Sequence, residues 1–165
     1  MEVLESENTG QVKYAGFWLR FVAYFIDKII LSAIGFVISL PFIGTIIFSG
    51  IAISELDEGD GSKLFGVAGI IGTVLLLIIT ITAVGWLYFA LMESSKQQAT
   101  LGKMALGLKV TDMEGKKISF ARATGRYFGK IISNMIFMIG YILAGLTEKK
   151  QALHDMIAGC LVIRT

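Results

Sequence analysis

Two stretches of this chain carry no charge and are long enough to cross a bilayer: residues 29–53 and residues 64–92. About 20 consecutive apolar residues span a hydrocarbon core. Backbone groups in lipid must satisfy one another, so both runs are predicted to be helical throughout. The composition agrees, with a mean hydropathy of +0.72 and 17% charged side chains over 165 residues, against about 25% in soluble domains. The chain therefore reads as an all-α membrane protein with two long transmembrane helices. The first run extends far past the roughly 7–15 apolar residues of a signal-peptide core, so it is expected to be retained. Cys160 and His154 are the single cysteine and histidine, which excludes an internal disulfide and a Cys/His metal set. No metal or cofactor is expected. No nucleophile, base and oxyanion set is visible either, so the chain is not expected to be an enzyme.

Charge outside the runs orients them. Residues 54–63 hold four acids and one lysine, whereas residues 93–130 hold eight lysines and arginines against three acids. By the positive-inside rule, the basic segment and the N-terminus are cytoplasmic and the acidic loop lies outside. Nothing in the pattern points to nucleic acid. The basic residues either line anionic headgroups or form a solvated face beside the membrane.

A third apolar run, residues 131–146, has 16 residues and includes Ser133, Asn134, Gly140 and Gly145. It is marginal for a crossing. Residues 108–112 and 117–120 flank the turn at 113–115 and read as short strands, as do residues 159–164. A terminal strand needs a partner. If it pairs within the basic loop, the C-terminus is also cytoplasmic and the third run is re-entrant or interfacial. Otherwise that run spans. Pro41 is expected to kink the first helix.

Charge reappears where the first apolar run opens. Arg20 and Asp27 are seven residues apart, about two helical turns, so they share a face with Tyr24 between them. The span begins near Phe17, which buries Asp27 deeply, or near Ile29, which leaves Asp27 and Lys28 at the interface, with Lys28 snorkelling. Helical side chains lean toward the N-terminus, so Asp27 leans toward Arg20 while Arg20 leans away. Each then meets another segment, Arg20 with Asp155 and Asp27 with Arg126 or Lys103. Gln151, His154 and Asp155 make a polar stripe near the C-terminus. His154 is read as a pH sensor or as a group that orients Asp155. The glycines of residues 102–107 have a phosphate-loop spacing without its Gly-Lys-Ser/Thr ending, and read as turn or close-packing positions.

Three blocks in this order resemble the RDD family of small integral membrane proteins: Arg20 to Asp27, the segment 98–110 (QATLGKMALGLKV), and Gln151-Ala-Leu-His-Asp155 before an apolar strand. By that resemblance Arg20 is the family arginine and Asp27 and Asp155 its two aspartates. The resemblance covers residues 14–164, which implies one RDD-like domain at 14–165 behind a flexible tail at 1–13. Within it lie spans at about 17–53 and 64–92, a basic loop at 93–130, the third apolar segment at 131–146 and a tail at 147–165. It also implies a multi-pass protein of a prokaryotic plasma membrane and transport of a monovalent cation or proton, in a homo-oligomer or with a membrane partner protein. Lys28 departs from the family pattern, and a positive neighbour favours ionised Asp27. Three roles for the Arg/Asp set stay open: coupled transport, a structural ion-pair network, and binding of a ligand or lipid headgroup.

Overall fold

Both apolar runs fold as helices, the first reaching twelve residues further back to take in Arg20, Asp27 and Lys28: α1 (Phe17–Ser54) and α2 (Ser62–Glu93), of 38 and 32 residues. At about 1.5 Å per residue they are roughly 57 and 48 Å long, more than the approximately 30 Å of a hydrocarbon core. The computed structural model describes residues 13–57, 59–135 and 139–165. The tail expected at 1–13 lies, except for Lys13, outside the described residues.

The two helices form a hairpin, in contact from Ile53 against Gly66 near its turn to Tyr88 against Asp27 near its open end. Helix α1 runs through Pro41 unbroken, and the Pro41 carbonyl accepts the Thr45 hydroxyl at 2.9 Å. No residue in the most apolar stretch of either helix is buried by protein. Phe48 and Phe65 are 75% and 78% exposed. Apolar surface of that extent is stable against acyl chains.

The rest of the chain gathers into a base at the open end of the hairpin. It comprises α3 (Leu101–Ala105), β1 (Leu108–Asp112), α4 (Phe120–Met135), α5 (Ile139–Leu146), α6 (Leu153–Ala158) and β2 (Cys160–Arg164). Strand β1 pairs antiparallel with β2, setting Leu108 opposite Arg164 and Asp112 opposite Cys160. Residues 13–15 line the other edge of β2, where Ala15 N–H donates to Val162 at 2.9 Å and Arg164 N–H to Lys13 at 2.8 Å. Leu108, Val110, Ile118 and Val162 pack there with Ala15, Ala23, Ala90 and Ala123 as a small core.

Residues 117–120 do not form the strand expected of them. Lys117 makes an isolated bridge to Thr111, and Phe120 already opens α4. The cause is competition for one edge of β1. Val110 N–H, which points away from β2, donates to the Gln98 carbonyl at 2.7 Å, so no ladder continues past the turn. That turn closes on itself, with the Asp112 carboxylate accepting from Glu114 and Lys116 N–H at 3.0 and 2.8 Å and Gly115 at φ +81°.

In the third apolar run, residues 136–138 lie outside the described residues. Residues 131–135 finish α4 and residues 139–146 form α5. Among the described residues α1 and α2 are the two helices long and apolar enough to cross a membrane. The run also begins and ends at the base, because Lys150 accepts a hydrogen bond from Arg20 at 2.6 Å and β2 pairs with β1. The base is polar inside and apolar outside. Helix α4 buries Arg126 and Ser133 and exposes Phe128, Ile131 and Ile132, while α6 buries His154 and Asp155 and exposes Met156 and Ile157. This pattern suits a surround of lipid.

An impermeant thiol reagent tests the arrangement in a Cys160→Ala background, needed because Cys160 is itself buried. Cysteines replacing Lys117 and Lys149 are expected to label from one side of the membrane, and a cysteine replacing Asp57 from the other. Opposite sidedness for Lys117 and Lys149 would mean that residues 131–146 cross.

Candidate functional site

Asp27 reaches the centre of the base because the residue one turn before it is small. Ala23 is fully buried, and α3 lies so close that a Cβ on Gly102 would come within 2.1 Å of the Ala23 carbonyl and 3.0 Å of the Asp27 carboxylate. The absence of a side chain at Gly102 lets its N–H donate to Asp27 Oδ1 at 2.8 Å. Tyr88 Oη donates to the same oxygen at 2.8 Å, and Thr100 Oγ1 donates to Oδ2 at 2.6 Å. Tyr88 Oη accepts in turn from Leu101 N–H at 3.1 Å. Asp27 thus fastens α1 to α2 and, from a distance, caps the first turn of α3, where a negative charge complements the helix dipole.

Neither cation expected for Asp27 reaches it. Lys103 and Arg126 instead meet Glu93, the last residue of α2, which the sequence reading counted only as a loop charge. A signal for it exists: Glu93 is the only acid between residues 61 and 111 and stands at the edge of an uncharged run facing a basic segment. It is 1% exposed, contacts Lys103 through Oε1, and accepts Arg126 Nη1 at 2.9 Å and Lys130 Nζ at 3.5 Å.

From Glu93 the network runs through Arg126. Its Nε donates to Asp155 Oδ1 at 2.7 Å, and Asp155 Oδ2 meets Arg20 Nη1. Arg20 also donates from Nε to the Ala15 carbonyl at 2.8 Å. The structure therefore brings Arg20 and Asp155 together through a direct ion pair, and joins α1, α2, α3, α4 and α6 through Arg20, Lys103, Arg126 and Lys130 with the carboxylates of Glu93 and Asp155. His154 Nε2 lies 3.5 Å from Asp155, and α6 packs on α4 at Gly129, where a Cβ would stand 3.1 Å from that of His154. Gln151 Nε2 donates to the Cys160 carbonyl at 2.9 Å. The stripe of Gln151, His154 and Asp155 faces inward. Lys28 stays outside the network, exposed, with its ammonium 5.5 Å from the Tyr24 ring centre. The eight basic residues of 93–130 thus divide: Lys103, Arg126 and Lys130 turn inward, Lys109 is half-buried, and Lys96, Lys116, Lys117 and Arg122 remain exposed.

The field at the site follows from this packing. Burial drives the Lys103 ammonium down to about 7 against the pull of Glu93. Burial works against charge on Arg126 too, but Asp155 and Glu93 outweigh it and hold its pKa above the usual value. Burial also works against the Asp155 carboxylate, which Arg126 and Arg20 nonetheless hold well below its usual range. His154 is lowered by burial to about 3. A cavity of about 60 Å³ lies beside the network, lined by Arg20, Tyr24, Asp27, Lys103, Arg126, Lys130 and His154 among others. It has room for a few waters. Its lining carries more positive than negative charge.

Buried pairs are costly to break because the remaining charge stays desolvated, at about 3–5 kcal/mol. Asp155→Asn and Glu93→Gln are expected to lose about that much in detergent unfolding experiments. Gly102→Ala is expected to destabilise comparably, because its methyl meets backbone. Acid should destabilise the wild type in two windows. Unfolded His154 takes a proton near 6.5 that the native state refuses until about 3, so stability falls from pH 6.5 downward, by at most about 1.4 kcal/mol per unit. Asp155 contributes above its ordinary pKa of 3.8, and its share is lost only below that. A His154→Gln variant should flatten the slope between pH 6.5 and 4.5, read by thermal unfolding at several pH values.

The same architecture has relatives. The sequence profile of the RDD family matches residues 14–159. The chain is 39% identical over 153 residues to the uncharacterized protein YxaI of Bacillus subtilis (strain 168), covering 92% of this chain and 97% of that protein. It is 30% identical over 156 residues to the uncharacterized membrane protein YteJ of the same organism, covering 91% and 80%. No solved structure matches. With two long lipid-facing helices and this profile over nearly its whole length, the chain is a membrane protein and belongs to the RDD family.

Proposed function

We propose that this chain is a non-transporting, non-enzymatic subunit of a prokaryotic plasma membrane, which positions a partner protein or anionic lipid against its basic face. In this reading Arg20, Asp27 and Asp155 are structural: they lock a polar base onto two membrane anchors. The observation that carries it is the state of Asp27. Its carboxylate already accepts three hydrogen bonds from neutral donors on two different segments, at 2.6 to 2.8 Å.

A carrier site needs a carboxylate that exchanges partners. Asp27 would have to release Tyr88, Thr100 and Gly102 together, which uncaps α3 and leaves buried donors unmatched at about 1–3 kcal/mol each. A cation approaching it through the adjacent cavity meets Arg20, Lys103, Arg126 and Lys130. The exposure of Lys96, Lys116, Lys117, Arg122, Lys149 and Lys150 supports the binding role. The positive-inside rule places the basic face, and with it both termini, in the cytoplasm.

Coupled transport of a monovalent cation or proton through a homo-oligomer is the second reading, favoured by the cavity that adjoins Asp27. Proteoliposomes with an internal pH-sensitive dye separate the two. Under the first reading sodium gradients move no protons, Asp27→Asn behaves as wild type in flux, and photo-crosslinkers at Lys117 or Arg122 capture a membrane partner or lipid. Sodium-dependent proton flux abolished by Asp27→Asn would establish the second.

A further inference from the structure

A second, larger hollow lies away from the ion-pair network. It is a groove of about 560 Å³ between α1, α2 and α4, beginning at Lys28 and Lys130 and continuing along the spans past Gly35 and Gly85. Its depth comes from small residues. A Cβ on Gly35 would meet nothing within 4 Å, and one on Gly85 would meet only the Tyr127 hydroxyl, at 3.4 Å. Its walls within the spans are mostly apolar, Leu31, Phe36, Ile38 and Ile81 among them, with the small hydroxyls of Ser32, Ser39 and Thr82 between, and its lining includes two lysines and no carboxylate.

Position and charge select the occupant. Lys28 immediately precedes the uncharged run 29–53, and Lys130 lies on α4 just before its exposed Ile131 and Ile132. Both ammonium groups therefore sit where the polar base gives way to bare apolar helix, the level of a phospholipid phosphate. Lys130 is partly committed, 3.5 Å from Glu93 and 4.1 Å from the Phe89 ring centre. Lys28 is exposed and makes no ion pair among the described residues. A second copy of this chain would lay a span into the groove, but the runs 29–53 and 64–92 contain no acid to offset Lys28. A phosphodiester with an acyl tail offsets the charge and fills the apolar part together.

We propose that this groove is a binding site for one anionic glycerophospholipid, its phosphate between Lys28 and Lys130 and one acyl chain lying between α1 and α2 beside Gly35 and Gly85. The headgroup carries no ammonium, because a zwitterionic head would place a third cation beside two lysines. The site is separate from the Arg20, Asp27 and Asp155 network and holds whether that network is structural or moves ions.

Native mass spectrometry of the full chain, purified in mild detergent and titrated with phosphatidylglycerol or phosphatidylcholine, tests the assignment. Wild type is expected to retain one phosphatidylglycerol in preference to phosphatidylcholine. Lys28→Gln should weaken retention about fivefold, the effect of one lysine at a lipid surface, with Lys28→Arg restoring it. Gly35→Trp, which fills the groove and leaves every charge in place, should displace the lipid while gel filtration and thermal unfolding stay as in wild type. Equal retention of the two lipids, or wild-type retention by both Lys28→Gln and Gly35→Trp, would overturn the proposal. So would efficient disulfide crosslinking of a Gly35→Cys, Cys160→Ala chain to itself in native membranes, which would put a second copy in the groove.

Discussion

The base of this protein hangs on one guanidinium. Arg126 lies between Glu93 of α2 and Asp155 of α6, at 2.9 and 2.7 Å, and is 2% exposed. Without it two buried carboxylates would face each other across α4. With it, they are drawn together and each recruits a further cation, Lys103 at Glu93 and Arg20 at Asp155. Taking so many charges out of water is expensive, and an apolar core of equal volume is often at least as stable. The network's contribution is therefore geometric. Charge-assisted bonds are directional, and they fix how α1, α2, α3, α4 and α6 meet around a small polar centre.

Asp27 plays a different part. It makes no ion pair among the described residues, and its charge is stabilised by hydroxyl and amide donors that converge from α2 and the start of α3. The convergence depends on Ala23 and Gly102, the two small residues that let α3 approach α1. Asp155 thus sits in an ion-pair chain and Asp27 in a neutral hydrogen-bond cage. Neighbours in sequence do not separate these environments; the partners supplied by distant segments do.

The surround accounts for the inverted pattern of the base. Where water is the solvent, a helix hides its apolar stripe; α4 and α6 hide Arg126, His154 and Asp155 and present Phe128, Ile132, Met156 and Ile157. An apolar collar around buried polar groups suits a base that lies at the membrane, while Lys96, Lys116, Lys117 and Arg122 stay exposed. The groove at Lys28 follows the same pattern, with an exposed ammonium at one end and largely apolar walls along the spans.

The sequence by itself determined the two long helices, since an uncharged run of that length has one solution in lipid. It also determined that Arg20 and Asp27 share a face, that Gln151, His154 and Asp155 share another, and that the last strand needs a partner. These are local periodicities and lengths, and the chain itself enforces them. Tertiary structure alone decided the pairings. Lys103 and Arg126 were equally plausible partners for Asp27 on charge, but Glu93 lies where α2 ends and takes both. Residues 117–120 had strand character, but Gln98 occupies the edge they would have used. Whether a polar stripe faces in or out is likewise fixed by what surrounds it. Electrostatic attraction has no sequence register, so which buried charge meets which is settled only when the helices are packed.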